Sequence, residues 1–174
     1  MIRGTGTLSV LVYACKPSKP CDNSTMATVN LPPDFREFLR LLNEYQVEYL
    51  LIGGYAVAYH GYPRATADMD IWIPVRPQNA EKVVAALKAF GFAVPELSAE
   101  LFLKEGQIIR MGMPPVRIEI ATSVSGVQFD ECYAARVADE LDGVPVNLID
   151  LVHLKLNKRA AGRYKDLDDL ENLP

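Results

Sequence analysis

One segment, residues 49–73, constrains the fold of this chain more than any other part of the sequence. An apolar run ends at Gly53-Gly54, mostly helix-compatible residues follow, and Asp68 and Asp70 then enter a second apolar run. The second run is rich in β-branched and aromatic side chains, which favour strands. The pattern therefore predicts a strand, a glycine turn, a helix and a second strand that carries two carboxylates.

The two aspartates have the spacing of a metal site. Successive strand side chains point to opposite faces, so Asp68 and Asp70 are expected on one face, roughly 6.5–7 Å apart. Carboxylates at that distance repel each other, and a fold keeps such a pair where a cation lies between them. Hard oxygen ligands suit Mg²⁺. Asp-x-Asp alone usually marks solvated acidic residues, so the prediction depends on the surrounding pattern.

The residues around the aspartates are suited to binding phosphate. Gly53-Gly54 lets the backbone approach a ligand closely, with its N–H groups and a helix N-terminus directed at phosphate oxygens. Arg64 and Thr66 offer a cation and a hydroxyl group just upstream of the carboxylates. A glycine pair alone usually marks only a turn, but its order and spacing relative to the carboxylates favour a combined metal and phosphate site.

Length and charge limit the classes of protein that fit. The 174 residues suffice for one domain with a single core, and the net charge is −4. Residues 1–30 hold three basic and one acidic residue, a net charge of +2, which leaves −6 for the remainder. An acidic body argues against a broad non-specific grip on nucleic acid, although it permits a local basic patch.

Cysteine content and hydropathy indicate the compartment. The three cysteines have no metal-ligand spacing, and their odd number argues against a disulfide scaffold. No apolar run approaches the length of a membrane span, so no membrane partner is expected. The sequence predicts a protein of the reducing cytoplasm.

The first thirty residues differ in composition from the rest. Residues 1–30 are predicted to be a flexible, non-catalytic extension, and residues 31–174 a single domain. Two alternatives stay open. Arg3 before the apolar run 8–14 and Cys15 after it faintly resemble a bacterial lipoprotein signal, although the run is short for that purpose. The second alternative is that the natural protein starts at Met26.

The remaining pattern predicts an alternation of helices and strands. Helices are expected from residue 34, over 79–90, over 129–141, from residue 150, and in the acidic tail 165–171, with a short helical turn over 98–103. Strands are expected over 47–52, as an antiparallel pair over 107–111 and 116–121, and as a short edge strand over 145–148 after an Asp142-Gly143 turn.

Further charged residues complete the predicted site. Alternation in the strand 116–121 places Arg117 and Glu119 on one face, and Glu119 is the candidate third carboxylate. Lys155 lies within an apolar helical pattern, where a lysine needs a partner. A basic cluster follows it, and a charged C-terminal helix is usually a solvated face. The cluster comprises Lys158, Arg159, Arg163 and Lys165.

These motifs together resemble a known superfamily. The segments 51–54, 64–71, 117–120, 150–156 and 163–166 are similar to the DNA polymerase β-type nucleotidyltransferase superfamily. Within it, the match is to small bacterial and archaeal proteins related to the toxin subunits of AbiE-type toxin–antitoxin systems. The resemblance covers roughly residues 34–172. It implies an α+β fold in which a small mixed β-sheet is flanked by helices.

The resemblance also implies roles for individual residues. Asp68 and Asp70 would hold two Mg²⁺ ions, with Mn²⁺ as an alternative, and Glu119 would be the third carboxylate. The superfamily commonly has Asp at that third position. Tyr55 follows the second glycine where many relatives have Ser, and Thr66 is the residue that can partly replace the missing hydroxyl. Residues implied or proposed to bind the triphosphate are Gly53, Gly54, Arg64, Thr66, Lys155 and Lys165.

The implied activity is transfer of a nucleoside monophosphate from a nucleoside triphosphate to an acceptor hydroxyl, with release of pyrophosphate. The superfamily modifies RNA ends, protein hydroxyls and small antibiotics, and membership does not choose among them. The toxin-like relatives favour the 3′ end of tRNA narrowly and imply a cognate antitoxin. Protein nucleotidylation and a catalytically silent nucleotide- or partner-binding module are the alternatives. A third is that the glycines and carboxylates are incidental.

Overall fold

The computed structural model describes residues 30–113 and 116–174. The predicted N-terminal extension, including the alternatives at Cys15 and Met26, lies outside these residues except for Asn30. Within the described ranges, no helix has the length and apolarity that crossing a membrane requires.

A six-stranded mixed sheet forms the centre of the fold, in the order β3-β4-β2-β1-β6-β5. Strands β1 and β6 pair in parallel, as do β2 and β4, and the other three neighbouring pairs are antiparallel. This arrangement confirms the predicted α+β fold with a mixed sheet. The strands are β1 Leu50–Ile52, β2 Asp68–Trp72, β3 Ile108–Met113, β4 Val116–Ala121, β5 Val137–Leu141 and β6 Val144–Leu148.

Helices cover both faces of the sheet and give two buried clusters. The register pairs Leu51 with Ile71 in one cluster and Leu50 with Trp72 in the other, which explains why β1 is an unbroken apolar run. A 3₁₀ turn spans Ala99–Phe102. The helices are α1 Pro33–Glu44, α2 Gly53–Tyr59, α3 Pro77–Ala89, α4 Phe129–Ala134, α5 Leu151–Ala161 and α6 Tyr164–Asn172.

Strand β2 presents its carboxylates to one particular face. Asp68 and Asp70 alternate in phase with Trp72, whose ring packs edge-to-face against Phe129 of α4 at 5.2 Å. The apolar cluster on that face also includes Leu154 of α5. Both aspartates therefore lie on the side of the sheet that α4 and α5 cover. They occupy the N-terminal part of β2, and Trp72 at its C-terminal end joins the apolar cluster.

The predicted helix over 129–141 is wrong in its second half. Helix α4 ends at Ala134, and β5 pairs with β6 in an antiparallel hairpin. Asp142 and Gly143 both have positive φ, at 49° and 76°, which is the backbone of a two-residue hairpin turn. Such a turn requires a strand on each side. Strand β6 is consequently not an edge strand, because it lies between β1 and β5.

Candidate functional site

A cleft of about 610 Å³ opens on the α5 side of β2 and β4. Parallel pairing of these strands places Asp68 beside Arg117 and Asp70 beside Glu119. The three predicted acidic residues therefore face one cleft. Other predicted site residues that line it are Gly53, Gly54, Arg64, Thr66 and Lys165.

Close backbone approach explains the two glycines. Gly53 has a φ of +63°, and a Cβ atom there would lie 1.9 Å from Oδ2 of Asp70. A Cβ atom on Gly54 would lie 2.5 Å from Oγ1 of Thr66 and 3.3 Å from Nη1 of Arg64. These three side chains thus pack directly against the backbone of the glycine pair. A residue with a Cβ atom at either position would overlap them, so only glycine fits.

Replacing Gly53 by alanine tests this packing. Gly53→Ala combines left-handed backbone strain with overlap of the Asp70 carboxylate, and each should reduce stability. Gly143→Ala is the matched control, because Gly143 also has a positive φ but a Cβ atom there meets nothing within 4 Å. We expect Gly53→Ala to lose about 2 kcal/mol more of the free energy of unfolding than the control, measured by urea denaturation. Equal losses in the two variants would contradict the close contact.

Asp70 is the electrostatically strained member of the cleft. Burial, together with the nearby charges of Glu119 and Asp68, raises its pKa from the ordinary 3.8 to about 6. A hydrogen bond from the Gly54 backbone and the charge of Lys158 act in the opposite direction but do not offset the rise. An added positive charge at this position would therefore be stabilising.

Arginines neutralise the other two carboxylates. Nη2 of Arg117 lies 2.7 Å from Oδ2 of Asp68 and 3.0 Å from Oε1 of Glu119. Nε of Arg110 lies 2.9 Å from the same oxygen of Glu119. The ion pairs of the described residues thus include Asp68 and Glu119 but not Asp70.

The three carboxylates are suitable ligands for a divalent cation, because they supply oxygen donors and face the same cleft. Their present arrangement fits less well, because among the described residues no three His, Cys, Asp or Glu side chains are grouped closely enough to hold a metal ion. Arg117 holds two of the three in ion pairs. The predicted two-Mg²⁺ site therefore stays a prediction.

Two buried guanidinium nitrogens favour an anion in the same cleft. Nη1 of Arg64 and Nε of Arg117 are buried, and neither has a hydrogen-bond partner in the parts of the chain that the structure describes. Unpaired buried donors are costly and uncommon. Both arginines line the cleft, and Nη1 of Arg64 lies beside the glycine pair. A phosphate oxygen that reached either nitrogen would supply its missing acceptor.

Comparison with protein-family models and with curated proteins finds no match. Among solved structures, this chain is similar to a Thermotoga maritima protein that is provisionally assigned as a nucleotidyltransferase. The two are 13% identical with a TM-score of 0.54, over 79% of this chain and 88% of the other. The chain has a nucleotidyltransferase fold. This confirms the fold that the sequence motifs imply, while the AbiE-related subgroup stays a prediction.

The nucleotidyltransferase fold places the two predicted lysines differently. Lys165, at the start of α6, lines the cleft. Lys155 is not among the described residues that line it, and its Nζ donates a hydrogen bond to the carbonyl of Pro174. Lys158, one turn further along α5, lines the cleft. A role for Lys155 in binding the triphosphate stays a prediction.

A buried ion-pair network beside the cleft is the part that sequence reasoning missed. Nζ of Lys158 lies 2.9 Å from Asp166 and 2.8 Å from Asp169, and all three residues are buried. Arg64 makes a two-pronged contact to the Asp169 carboxylate at 2.5 and 2.9 Å. One side of the C-terminal helix, which carries Asp166 and Asp169, is thus buried, while most of its other residues are exposed. The i, i+3 spacing of Asp166 and Asp169, directly after a helix containing Lys158, is the signal that could have indicated it.

The network fixes the ionised state of its acids. Burial raises the pKa of Asp169, but hydrogen bonds from Arg64 and Lys158, together with their charges, lower it below its ordinary value. The pKa of Asp166 is likewise lowered, because hydrogen bonds from Arg163 and Lys158 and their charges outweigh burial. Both carboxylates are therefore charged at neutral pH, and Asp169 orients Arg64 toward Gly54.

Proposed function

We propose that this protein is a nucleotidyltransferase that moves a nucleoside monophosphate from a nucleoside triphosphate to an acceptor hydroxyl and releases pyrophosphate. One observation carries the proposal. The Arg64 guanidinium lies close to Gly54 and has a buried N–H with no partner among the described residues, within the cleft that also holds Asp68, Asp70 and Glu119. The nucleotidyltransferase fold supports the same activity.

The side chains divide into an anion side and a cation side. Arg64 and Thr66 bind phosphate oxygens above the glycine pair, and Lys165 adds a charge at the cleft wall. Asp68, Asp70 and Glu119 hold Mg²⁺, which when bound lowers the pKa of an attacking hydroxyl and neutralises charge on the triphosphate. Asp70 has the strongest need for that cation, because it is buried and its neighbours Glu119 and Asp68 are acidic.

A local excess of positive charge supports a polyanionic acceptor. Among the described residues, six Lys or Arg and four Asp or Glu line the cleft, although the body of the chain is acidic. A few phosphate contacts can orient an RNA end without a wide basic surface. We therefore propose the 3′ end of tRNA as the acceptor and the toxin of a toxin–antitoxin pair as the biological role. A protein hydroxyl is the next acceptor to test.

One observation favours a second candidate, a catalytically silent nucleotide- or partner-binding module. Asp68 and Glu119 are engaged by Arg117, so the described carboxylates are not assembled around a common point. A module of this kind would bind nucleotide in the cleft without releasing pyrophosphate.

Incorporation of labelled nucleotide tests both candidates. Purified protein is incubated with Mg²⁺ and each α-labelled nucleoside triphosphate in turn, with and without total tRNA, and the products are separated on a denaturing gel. We expect label in tRNA from the wild type and from Glu105→Ala, an exposed acid outside the cleft, but not from Asp68→Ala. Label in the protein itself would indicate protein nucleotidylation. Nucleotide binding with no label in any lane would indicate the binding module.

A further inference from the structure

Arg117 holds a position that the strand register fixes. It lies beside Asp68 on the neighbouring parallel strand and two residues before Glu119, so all three side chains share the cleft face. A single nitrogen, Nη2, bridges the two carboxylates at 2.7 and 3.0 Å. The guanidinium therefore stands between two of the three acids proposed to hold a divalent cation.

A divalent cation and this guanidinium compete for the same oxygens. An ion bound to Asp68 and Glu119 would bring two positive centres within a few ångströms of each other, which is unfavourable. Arg110 also contacts Glu119, but its side chain is 55% exposed, compared with 31% for Arg117, and it does not contact Asp68. Arg117 is therefore the residue that has to move before these acids converge on a metal.

The cleft offers Arg117 a second set of partners. Its Nε is buried and has no acceptor within the described residues, so the guanidinium is incompletely paired where it stands. A polyphosphate above Gly53-Gly54 would present several oxygens along the same cleft. Guanidinium groups bind both carboxylate and phosphate through parallel N–H donors, which suits one arginine to both sites.

We propose that Arg117 is a cation switch, which pairs with Asp68 and Glu119 in the empty cleft and moves to the polyphosphate when a divalent cation takes the carboxylates. The inference rests on the proposed function, because it requires a metal and a polyphosphate in one cleft. Its consequence is positive coupling between the two ligands. The protein would bind a metal–polyphosphate complex in preference to free metal or free polyphosphate.

Binding of Mn²⁺ alone provides the first test. It is measured as the loss of the free-ion signal in electron paramagnetic resonance. Arg117→Gln removes the competing charge, so we expect it to bind Mn²⁺ about five- to tenfold more tightly than the wild type. Arg117→Met, which keeps the apolar stem, should show the same gain. Arg117→Lys, which keeps the charge, should stay within about twofold of the wild type. Arg110→Gln removes a more exposed charge and leaves the bridge intact, so it should gain less than either uncharged Arg117 variant.

Binding of the magnesium complex of inorganic triphosphate, measured by calorimetry, provides the second test. Here we expect the opposite sign, with Arg117→Gln and Arg117→Met binding at least about fivefold more weakly than the wild type. Far-ultraviolet circular dichroism and thermal unfolding establish that each variant is folded.

The outcomes separate the switch from the proposed function. Wild-type binding of Mn²⁺ that is lost in Asp68→Ala, without a gain in either uncharged Arg117 variant, would overturn the switch and leave the metal site standing. Tighter binding of Mn²⁺ without weaker binding of the triphosphate complex in the uncharged variants would also overturn the switch. Arg117 would then compete with the metal without moving to the polyphosphate. Absence of Mn²⁺ binding in every protein would overturn both the switch and the proposed metal site.

Discussion

Asp70→Asn is expected to reduce nucleotide transfer at least about a thousandfold and at the same time to stabilise the protein at neutral pH. Activity falls because an amide carries no charge with which to hold the proposed Mg²⁺ against the triphosphate. The labelled-nucleotide assay measures this loss. Transfer that persists in Asp70→Asn at close to the wild-type rate would exclude the proposed role of the carboxylate.

The gain in stability follows from the raised pKa of Asp70. In the unfolded chain the pKa is about 3.8, and in the folded protein it is about 6. Between these values the folded state binds more protons, so the wild-type free energy of unfolding falls as the pH rises from about 4 to about 6. Above pH 6 the cost of the ionised group is fully present. It amounts to at most about 3 kcal/mol, and to less where water screens the carboxylate.

Urea unfolding at two pH values measures this effect. Asp70→Asn should be more stable than the wild type at pH 7.5, by about 1–2 kcal/mol, and the difference should vanish near pH 4, where the wild-type group is protonated. Asp68→Asn is the matched control, because Asp68 is paired with Arg117 and its removal takes one of the two carboxylate partners from that cation. That variant should gain no stability at pH 7.5. A destabilised Asp70→Asn at this pH would contradict the electrostatic account.

Asp169→Ala is expected to cost about 3–5 kcal/mol of the free energy of unfolding, because it removes one partner from a buried ion-pair network. The variant leaves buried Lys158 with Asp166 alone and deprives Arg64 of both carboxylate contacts. The C-terminal helix would lose a buried connection both to α5 and to the segment before β2.

The neighbouring residue provides the control for this prediction. Asp168 is exposed and accepts a hydrogen bond from Tyr62 at the surface, so Asp168→Ala should change stability by no more than about 0.5 kcal/mol. Urea unfolding of both variants measures the difference. A loss below about 1 kcal/mol in Asp169→Ala would show that water or rearrangement replaces the network. If Asp169→Ala remains folded, its affinity for inorganic triphosphate should fall, because Arg64 is no longer oriented.

Local pattern determined the central segment of this protein. The break from apolar residues to Gly53-Gly54 and the two-residue spacing of Asp68 and Asp70 depend only on neighbours in sequence. Strand periodicity alone likewise places Arg117 and Glu119 on one face. The structure agrees with these expectations, because each concerns backbone geometry over a few residues, where propensity and alternation are strong.

Tertiary structure decided how these segments meet. Parallel pairing of β2 with β4 sets Asp70 beside Glu119 and Asp68 beside Arg117, and a register joining residues 49 apart in the chain is not encoded in either strand alone. The same holds for the hairpin over 137–148. Its first half has a helix-compatible sequence, but it forms a strand because a two-residue turn lets it pair along its whole length with β6.

The lysines of α5 show the same division. The family resemblance implied that Lys155 contacts the triphosphate, and its place within an apolar pattern indicated that this lysine needs a partner. Packing of α5 and α6 instead buries Lys158 between Asp166 and Asp169 and directs it to the cleft. Which turn of a helix faces a site depends on how the helix docks, and the energy of docking comes from partners distant in sequence. The sequence alone therefore determined the kinds of groups in this cleft, while the tertiary structure determined which of them meet.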